Sequence, residues 1–282
     1  MKYPEILGID DVLHQLNSFD AIIDARSPSE YALDHLPGAI NAPVLDDEQR
    51  IRVGTMYKQV NSFEAKKVGA ALRFKVVCGT TGSGKSRLLE VLHAHGAQVL
   101  DLEQLAAHRG SVLGNLPSQP QPSQKAFETS IWDTLRRFDP ALPVFVESES
   151  KKVGNLRVPT ALMESMRASD CISLTLSRAN RMRLLMEDYQ HFLVSPASLN
   201  EQLEHLTALH GRETIARWQS MSDGGQMAPL VEELLERHYD PAYLRSIDRN
   251  FVKFGEATVL ELDDIDTAAF DKAAASLIAS AQ

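Results

Sequence analysis

A glycine-rich loop between a predicted strand and a predicted helix constrains the fold of this chain more than any other feature. Residues 76–86 read Val-Val-Cys-Gly-Thr-Thr-Gly-Ser-Gly-Lys-Ser, an apolar run that leads into the pattern G-x-x-x-x-G-K-S. Residues 74–78 have the composition of a short strand, and residues 87–95 that of a helix with leucines on one face. The three segments together predict a phosphate-binding loop.

The residue types in this loop suit the binding of phosphate groups. Successive backbone N–H groups of such a loop point inward and cradle phosphate oxygens, and the following helix adds its favourable dipole. Lys85 is expected to neutralise the terminal phosphates, and the Ser86 hydroxyl to reach Mg²⁺, so both are candidate catalytic residues. The predicted phosphate-binding residues are Gly79, Thr80, Thr81, Gly82, Ser83, Gly84, Lys85 and Ser86.

Composition narrows the class of protein. The 282 residues carry a net charge of −9, so a nucleic-acid partner would have to be held by a local basic patch. Two cysteines form no disulfide framework, which is typical of a reducing compartment. No apolar run reaches the ~18 residues of a membrane span, and the N-terminus has no apolar signal core. We therefore expect a cytoplasmic protein with no membrane partner.

Predicted strands and helices alternate along the chain, which favours an α/β fold with a mainly parallel sheet. Ser27 and Glu30 have the spacing of a capping box at a helix start, with Pro28 at the first helical position. The further predicted strands are residues 21–24, 98–102, 143–146, 172–176 and 258–262. The further predicted helices are residues 9–17, 46–72, 181–192, 199–219 and 228–239 and an alanine-rich C-terminal segment.

The N-terminal segment contains a second signature. Residues 22–43 resemble the N-terminal signature of rhodanese-like sulfurtransferase domains. The positions that match this signature are Asp24, Arg26, Glu30, His35, Pro37, Gly38, Ala39, Asn41 and Pro43.

A rhodanese-like segment followed by a phosphate-binding loop resembles the tRNA 2-selenouridine synthase family. Four further segments are similar to stretches of that family: residues 48–58, 101–111, 124–128 and 147–159. The resemblance covers nearly the whole chain. It implies an α/β fold in which a parallel-sheet P-loop domain, residues 74–282, follows a truncated rhodanese-like α/β segment, residues 1–73.

The chain departs from the family at the residue that sulfurtransferase chemistry needs, a thiolate in a cradle of backbone N–H groups. The family's cysteine lies between the segment that ends near Leu72 and the strand of the phosphate-binding loop, where Arg73 is here followed directly by Phe74. The two cysteines present, Cys78 and Cys171, adjoin predicted strands and are expected to be buried. We predict that the chain as written carries no persulfide or perselenide.

The resemblance implies a two-stage reaction on the wobble 2-thiouridine of certain tRNAs. The sulfur is first alkylated from geranyl diphosphate, and selenium from selenophosphate then displaces the geranyl group. A loop that holds diphosphate lowers the barrier of the first stage because diphosphate is its leaving group. The second stage would rely on the missing half-domain, and we therefore doubt selenation in this chain.

Charged residues beside the loop are further candidates. Strand-end carboxylates often hold Mg²⁺ or its waters next to such a loop, although each is equally suited to capping a helix. The candidate Mg²⁺ ligands are Ser86, Asp101, Glu147 and Glu149. The candidate contacts to tRNA or to the diphosphate are His108, Arg109, Lys151, Lys152, Arg157, Arg178 and Arg181.

Two other functions are compatible with the same residues. A small-molecule or nucleotide kinase would use MgATP at the loop and turn over without tRNA. A non-catalytic tRNA-binding protein would bind tRNA without alkylating it. The segments 101–111 and 147–159, which are not general features of P-loop proteins, favour the tRNA-modifying function.

Overall fold

The computed structural model describes residues 18–33, 35, 38–51, 72–116 and 119–281. The chain divides into two compact units, Met1–Val60 and Asn61–Gln282. The predicted helix 9–17, most of the predicted helix 46–72 and the signature residue Pro37 lie outside the described residues. The predicted domain boundary at residue 73 stays a prediction.

The first unit contains short elements held by local hydrogen bonds. Strand β1 (Ile23–Asp24) pairs in parallel with β2 (Ile40–Asn41), and helix α1 (Pro28–Leu33) lies between them in sequence. Ser27 begins this helix as predicted: its backbone N–H and its hydroxyl donate to Glu30 Oε2 at 3.2 and 3.0 Å. Residues 47–51 are also helical.

The second unit is built on a parallel five-stranded sheet. Its strands are β3 (Arg73–Cys78), β4 (Gln98–Leu100), β5 (Pro143–Glu147), β8 (Asp170–Leu176) and β9 (Thr258–Leu262). They lie in the order β4-β5-β3-β8-β9. The strand of the phosphate-binding loop, β3, lies at its centre, and every described pair in this sheet is parallel. The fold is α/β as predicted. A separate antiparallel hairpin joins β6 (Lys152–Val153) and β7 (Leu156–Arg157).

Helices cover both faces of this sheet because successive side chains of a strand point to opposite faces. Val76 and Cys78 belong to a core cluster with the helices at residues 124–135, 160–167 and 240–250. Val77 belongs to a second cluster with the helices at residues 85–94 and 267–281. The helices of the second unit are α2 (Lys85–Ala94), α3 (Leu102–Ala106), α4 (Gln124–Leu135), α5 (Thr160–Arg167), α6 (Arg178–Asp188), α7 (Gln190–Val194), α8 (Pro196–Glu204), α9 (Thr207–His210), α10 (Arg212–Asp223), α11 (Met227–Leu234), α12 (Asp240–Asn250) and α13 (Thr267–Ala281).

A group of short helices that includes α7, α8, α10 and α11 forms a third core cluster around Trp218. Two long helices predicted here are wrong. The predicted helix 181–192 is interrupted at Tyr189, whose backbone is not helical, and the predicted helix 199–219 is interrupted at Gly211, which has φ +82°. The predicted helix 228–239 ends in a π-helical turn, Leu235–Tyr239, that leads directly into α12.

Strand β4, which follows α2, is shorter than predicted. It stops at Leu100 because Asp101 caps α3, with a carboxylate oxygen 2.7 Å from the Gln104 backbone N–H that donates to it. No helix in the described part of the chain is long and apolar enough to cross a membrane.

Candidate functional site

The phosphate-binding loop joins β3 to α2, and its last glycine explains part of the sequence pattern. Gly84 immediately precedes α2 with φ +87°, a conformation that side chains with a Cβ rarely adopt. A Cβ at this position would also lie 2.7 Å from the ring of Phe270. Backbone conformation and packing therefore both require glycine at the start of the loop helix.

Lys85 lies within the loop. Its Nζ donates to the Gly79 carbonyl oxygen at 2.7 Å and lies 5.6 Å from the centre of the Tyr243 ring. The Tyr243 hydroxyl in turn accepts a hydrogen bond from the Gly79 backbone N–H at 2.5 Å. Burial lowers the pKa of the Lys85 ammonium group. A charge held this far from bulk water interacts strongly with an anion in the loop.

The Ser86 hydroxyl has a carboxylate partner that the sequence analysis missed. It donates to Glu103 Oε2 at 2.8 Å. Glu103 lies in α3, and burial raises the pKa of its carboxyl group. The residue falls within the segment 101–111, but the sequence pattern predicts the carboxylate at the strand end, Asp101, instead. The hydroxyl and the carboxylate lie where a cation bound to the phosphates would be held.

A second buried carboxylate lies beside Glu103. Burial and the neighbouring Glu103 raise the pKa of Glu149 to about 8. Gly110 lies close to both groups: a Cβ there would lie 2.6 Å from Glu149 Oε1 and 2.7 Å from Glu103 Oε1. Two carboxyl groups whose pKa values are raised by burial are suited to a divalent cation, which favours their charged forms.

The four predicted Mg²⁺ ligands have different positions. Ser86 and Glu149 line the cleft over the loop, whereas Asp101 and Glu147 do not. Asp101 caps α3, and Glu147 Oε1 accepts from the backbone N–H groups of Leu102 and Glu103 at 2.7 and 3.0 Å. These two carboxylates hold α3 in place.

The side chains around the cleft supply only part of the ligand shell of Mg²⁺. Among the described residues, no group of three or more histidine, cysteine, aspartate and glutamate side chains is placed to hold a metal ion. Ser86, Glu103 and Glu149 offer one hydroxyl and two carboxyl groups around the cleft. Mg²⁺ commonly takes one or two protein carboxylates and completes its shell with phosphate oxygens and water, so these residues fit such an ion.

The cleft has a volume of about 220 Å³ and is bordered by basic residues as well as acidic ones. Arg109 lines it, with its guanidinium group 5.1 Å from the centre of the Tyr189 ring and 3.5 Å from Asp188. Arg181, predicted as a ligand contact, is buried; its Nε donates to the Thr81 carbonyl oxygen at 2.9 Å, and its other nitrogens donate to Asp240. Arg181 therefore fixes the loop.

The remaining predicted contacts lie apart from the loop or support it. Arg178 is exposed, 3.9 Å from Glu232 and 3.8 Å from Glu236. His108 is buried, and its Nδ1 accepts from the Gly110 backbone N–H at 3.1 Å; burial lowers the pKa of this histidine. The basic residues on the β6–β7 hairpin are exposed, and they are Lys151, Lys152 and Arg157.

An apolar cavity of about 60 Å³ adjoins the cleft, and the sequence analysis did not locate it. Residues Thr81, Ser111, Leu185 and Tyr189 line both spaces. The side chains that line only the cavity are Leu113, Met186, Phe192, Leu193, Leu199, Met227, Leu230, Val231, Leu234, Leu235 and Tyr239. Because they come from five separate helices and a loop, no single stretch of sequence shows the cavity.

The two cysteines are buried, as predicted. A hydrogen bond with Cys171, together with burial, raises the pKa of the Cys78 thiol. A thiol that stays protonated is a poor nucleophile. Cys78 thus lacks the properties of a sulfurtransferase cysteine.

Fold and site together define a P-loop protein with a phosphate cleft at the carboxyl end of the central strand. A profile described as "tRNA 2-selenouridine synthase AAA domain" matches residues 72–211, and one described as "Rhodanese-like domain" matches residues 9–104. A tRNA 2-selenouridine synthase of Nitrosomonas europaea is 30% identical, over 67% of this chain and 68% of the relative. The chain belongs to the tRNA 2-selenouridine synthase family.

Two further relatives cover more of the chain. The tRNA 2-selenouridine synthase of Nitrosomonas eutropha is 26% identical over 89% of this chain and 94% of its own length. That of Bdellovibrio bacteriovorus is 23% identical over 82% and 90%. The alignment with the N. eutropha protein runs over 372 positions, more than the 282 residues of this chain. That relative therefore contains residues that have no counterpart in this chain.

Proposed function

We propose that this chain is a tRNA-modifying transferase that alkylates the sulfur of wobble 2-thiouridine with the geranyl group of geranyl diphosphate. The observation that carries the proposal is that the phosphate cleft and the apolar cavity are neighbours that share the lining residues Thr81, Ser111, Leu185 and Tyr189. A ligand that fills both spaces has a phosphate head and an apolar tail. The relatives' names supply the tRNA substrate.

The cavity favours a prenyl group over a nucleobase. Its lining contains aliphatic, methionine and aromatic side chains with a few hydroxyl groups, and neither an amide nor a charged side chain. A purine buried there would leave its ring nitrogens without partners, which costs free energy. A kinase that binds ATP at the loop would have to place its adenine elsewhere.

The volume of the cavity also says what must move. A buried water needs ~10–15 Å³ on this measure, so about 60 Å³ accommodates a few carbon atoms rather than a ten-carbon chain. Met186 and Met227, which line the cavity, have long unbranched side chains that adapt to irregular space. We infer that these side chains shift when the geranyl chain enters.

The alkylation needs little covalent participation by the protein. The thiouridine sulfur attacks C1 of geranyl diphosphate, a C–S bond forms, and the C1–O bond breaks with its electron pair leaving on diphosphate. The uridine N3 proton is released to solvent, which leaves a neutral S-geranyl product. Lys85 and the loop N–H groups stabilise the charge that develops on diphosphate. Mg²⁺, where bound by Ser86, Glu103 and Glu149, would add Lewis-acid stabilisation of the same leaving group.

Selenation from selenophosphate is the step for which the chain lacks a residue. Transfer of a chalcogen through a rhodanese-like domain needs an accessible thiolate, and both cysteines are buried. We therefore propose that S-geranyl-2-thiouridine accumulates and is not converted to 2-selenouridine by this chain.

The test is a mass spectrum of nucleosides from 2-thiouridine-containing tRNA after incubation with the chain, Mg²⁺ and geranyl diphosphate, with and without selenophosphate. We expect S-geranyl-2-thiouridine in both samples and 2-selenouridine in neither. Lys85→Ala should lower the rate at least 100-fold, because it removes a charge opposite the leaving group. Lys272→Ala, on α13 away from the cleft lining, is the matched control.

A second variant tests the role of the cavity. Val231→Phe should raise the KM for geranyl diphosphate several-fold and leave the affinity for inorganic diphosphate within about twofold, because Val231 lines the cavity but not the cleft. Absence of any alkylated nucleoside with the unaltered chain would contradict the proposal. Phosphoryl transfer from MgATP without tRNA would then favour a kinase, and tRNA binding alone a non-catalytic protein.

A further inference from the structure

An open polar groove meets the cleft and the cavity at one turn of the chain. It has a volume of about 440 Å³, twice that of the cleft. Gly110 and Ser111 border both the groove and the cleft, and Ser111 also borders the apolar cavity. A group bound in the groove therefore lies next to the residues that border the place where the phosphate head and the apolar tail of a ligand would join.

The chemistry of the groove differs from that of the cleft. Its lining offers amides and imidazoles, Asn115, Asn155, Gln202 and His205 among them, and it includes no carboxylate. The cleft, in contrast, is lined by Glu103, Glu149 and Asp188. Amide side chains both donate and accept hydrogen bonds, as the edge of a uracil ring does. In a chain of net charge −9, a groove without carboxylates is suited to an anionic ligand.

A small concentration of positive charge borders the groove. Lys152 lines it, and the β6–β7 hairpin also presents Lys151 and Arg157. All three side chains are exposed, and within the described part of the chain none forms an ion pair with a carboxylate. Such residues are typical contacts of a nucleic-acid backbone.

The hairpin is held in a defined position. Gln121 Nε2 donates to the carbonyl oxygens of Ala106 and Val153 at 3.1 and 3.0 Å, and its Oε1 accepts from the Asn155 backbone N–H at 2.8 Å. Gly154, at the tip with φ +60°, allows this close approach, because a Cβ there would lie 2.3 Å from Gln121 Oε1. A ligand that binds the hairpin thus meets a preorganised surface, which lowers the entropic cost of binding.

We propose that this groove binds the RNA nucleotide that is modified, with its base directed toward Ser111 and its flanking phosphates on the β6–β7 hairpin. The inference rests on the proposed function and adds to it the location of the second substrate. The three spaces that meet at Ser111 then have separate occupants. Diphosphate lies in the cleft, the prenyl chain in the cavity and the nucleotide in the groove.

The experiment measures binding of an anticodon stem-loop containing 2-thiouridine by fluorescence anisotropy at several salt concentrations. Lys152→Glu should weaken binding at least tenfold, and Lys152→Ala should reduce the slope of log K against log salt by about one. Binding of inorganic diphosphate should be unchanged in both variants. Lys272→Glu makes the same charge change on α13 and should leave RNA binding within about twofold.

A second variant tests base recognition. His205→Ala, at an exposed residue that lines the groove, should raise the KM for tRNA several-fold without changing the KM for geranyl diphosphate. RNA affinity of Lys152→Glu equal to that of Lys272→Glu would overturn the groove, even where the unaltered chain alkylates tRNA. Loss of RNA binding in Lys152→Glu without any alkylation by the unaltered chain would support the groove and contradict the proposed function.

Discussion

The chain carries two family signatures, and the regions that contain them differ in how much of a buried core they have. Around the phosphate-binding loop, sheet and helices pack into two core clusters that meet at β3. Among the described residues 18–51, in contrast, only Ser27 and Ala39 are buried, while Ile23 is 65% exposed and Leu33 is 88% exposed. The first region nevertheless keeps one hydrogen bond of the predicted capping box, from the Ser27 backbone N–H to Glu30.

The difference shows that a region can match a family signature without having a buried core of its own. The rhodanese-like signature forms a capping box and a short parallel pair from residues close in sequence. A phosphate cleft instead needs groups fixed from more distant parts of the chain, such as Tyr243 beside Gly79 and Asp240 beside Arg181. Chemistry that depends on preorganised groups is therefore expected from the second region.

The largest difference between the regions should be in stability. Phe127→Ala removes a fully buried ring from the first core cluster and should lower the free energy of unfolding by about 3–5 kcal/mol. Ile40→Ala shortens an exposed side chain and should change it by less than about 0.5 kcal/mol. Chemical denaturation monitored by circular dichroism measures both. Equal losses would mean that the N-terminal region contributes a core of its own.

The sequence predicted the central features of the second region well. The five strands of the sheet, the loop and α2 each have a strong local pattern of apolar or glycine residues, and all were located within a few residues. The helices after α6 were less well predicted, because their apolar residues continue across Tyr189 and Gly211 while the backbone does not remain helical there. Tertiary packing decides such interruptions, and a periodic pattern does not record them.

The two regions should also differ in how the stability of the folded chain depends on pH through their residues. The folded chain keeps the proton of Glu149 up to a pKa of about 8, because burial and Glu103 raise it from 4.5. The folded state therefore binds more protons than the unfolded state between these values, and stability should fall as pH rises from about 5 to 8. Guanidinium unfolding without divalent cations should show this slope, and Glu149→Gln should reduce it.

The matched residue in the first region behaves in the opposite way. Hydrogen bonds from the Arg26 side chain and backbone lower the pKa of Asp24 from 3.8 to about 2. Its contribution is present above pH 3.8 and is lost only as pH falls through about 2. Asp24→Asn should consequently leave the slope between pH 5 and 8 unchanged. A slope altered by Asp24→Asn and not by Glu149→Gln would contradict the comparison.

The smallest expected effects are those of helix caps. Ser123 Oγ accepts from the Ala126 backbone N–H at 3.2 Å and begins α4, whose inner face is buried. Ser123→Ala should cost about 1 kcal/mol of global stability. Ser27→Ala should instead speed amide hydrogen exchange in α1 with little change in global unfolding. Ser123→Asp, which keeps the accepting oxygen, is the control for the first variant, and Ser27→Thr, which keeps the hydroxyl that donates to Glu30, is the control for the second.

The site was harder to predict than the fold. The loop residues follow one pattern, and the sequence identified them directly. Glu103 and the lining of the apolar cavity have no such pattern, because they are brought together by α3 and by helices between α6 and α11. The sequence predicts Arg181 as a ligand contact because it opens a helix suited to close over a nucleotide or prenyl diphosphate, but its partner Asp240 lies 59 residues away along the chain.

The π-helical turn at Leu235–Tyr239 has a consequence for how relatives of this chain can vary. It accommodates one more residue than an α-helical turn, and each residue of a helix rotates the next by about 100°. With this extra residue, Tyr239 lines the apolar cavity while Asp240 and Tyr243 reach Arg181 and Gly79. Deleting one residue of the turn would rotate both contacts away from the loop without altering any side chain that makes them. Chain length between α11 and α12 is thus as much a determinant of the phosphate site as the identity of its residues.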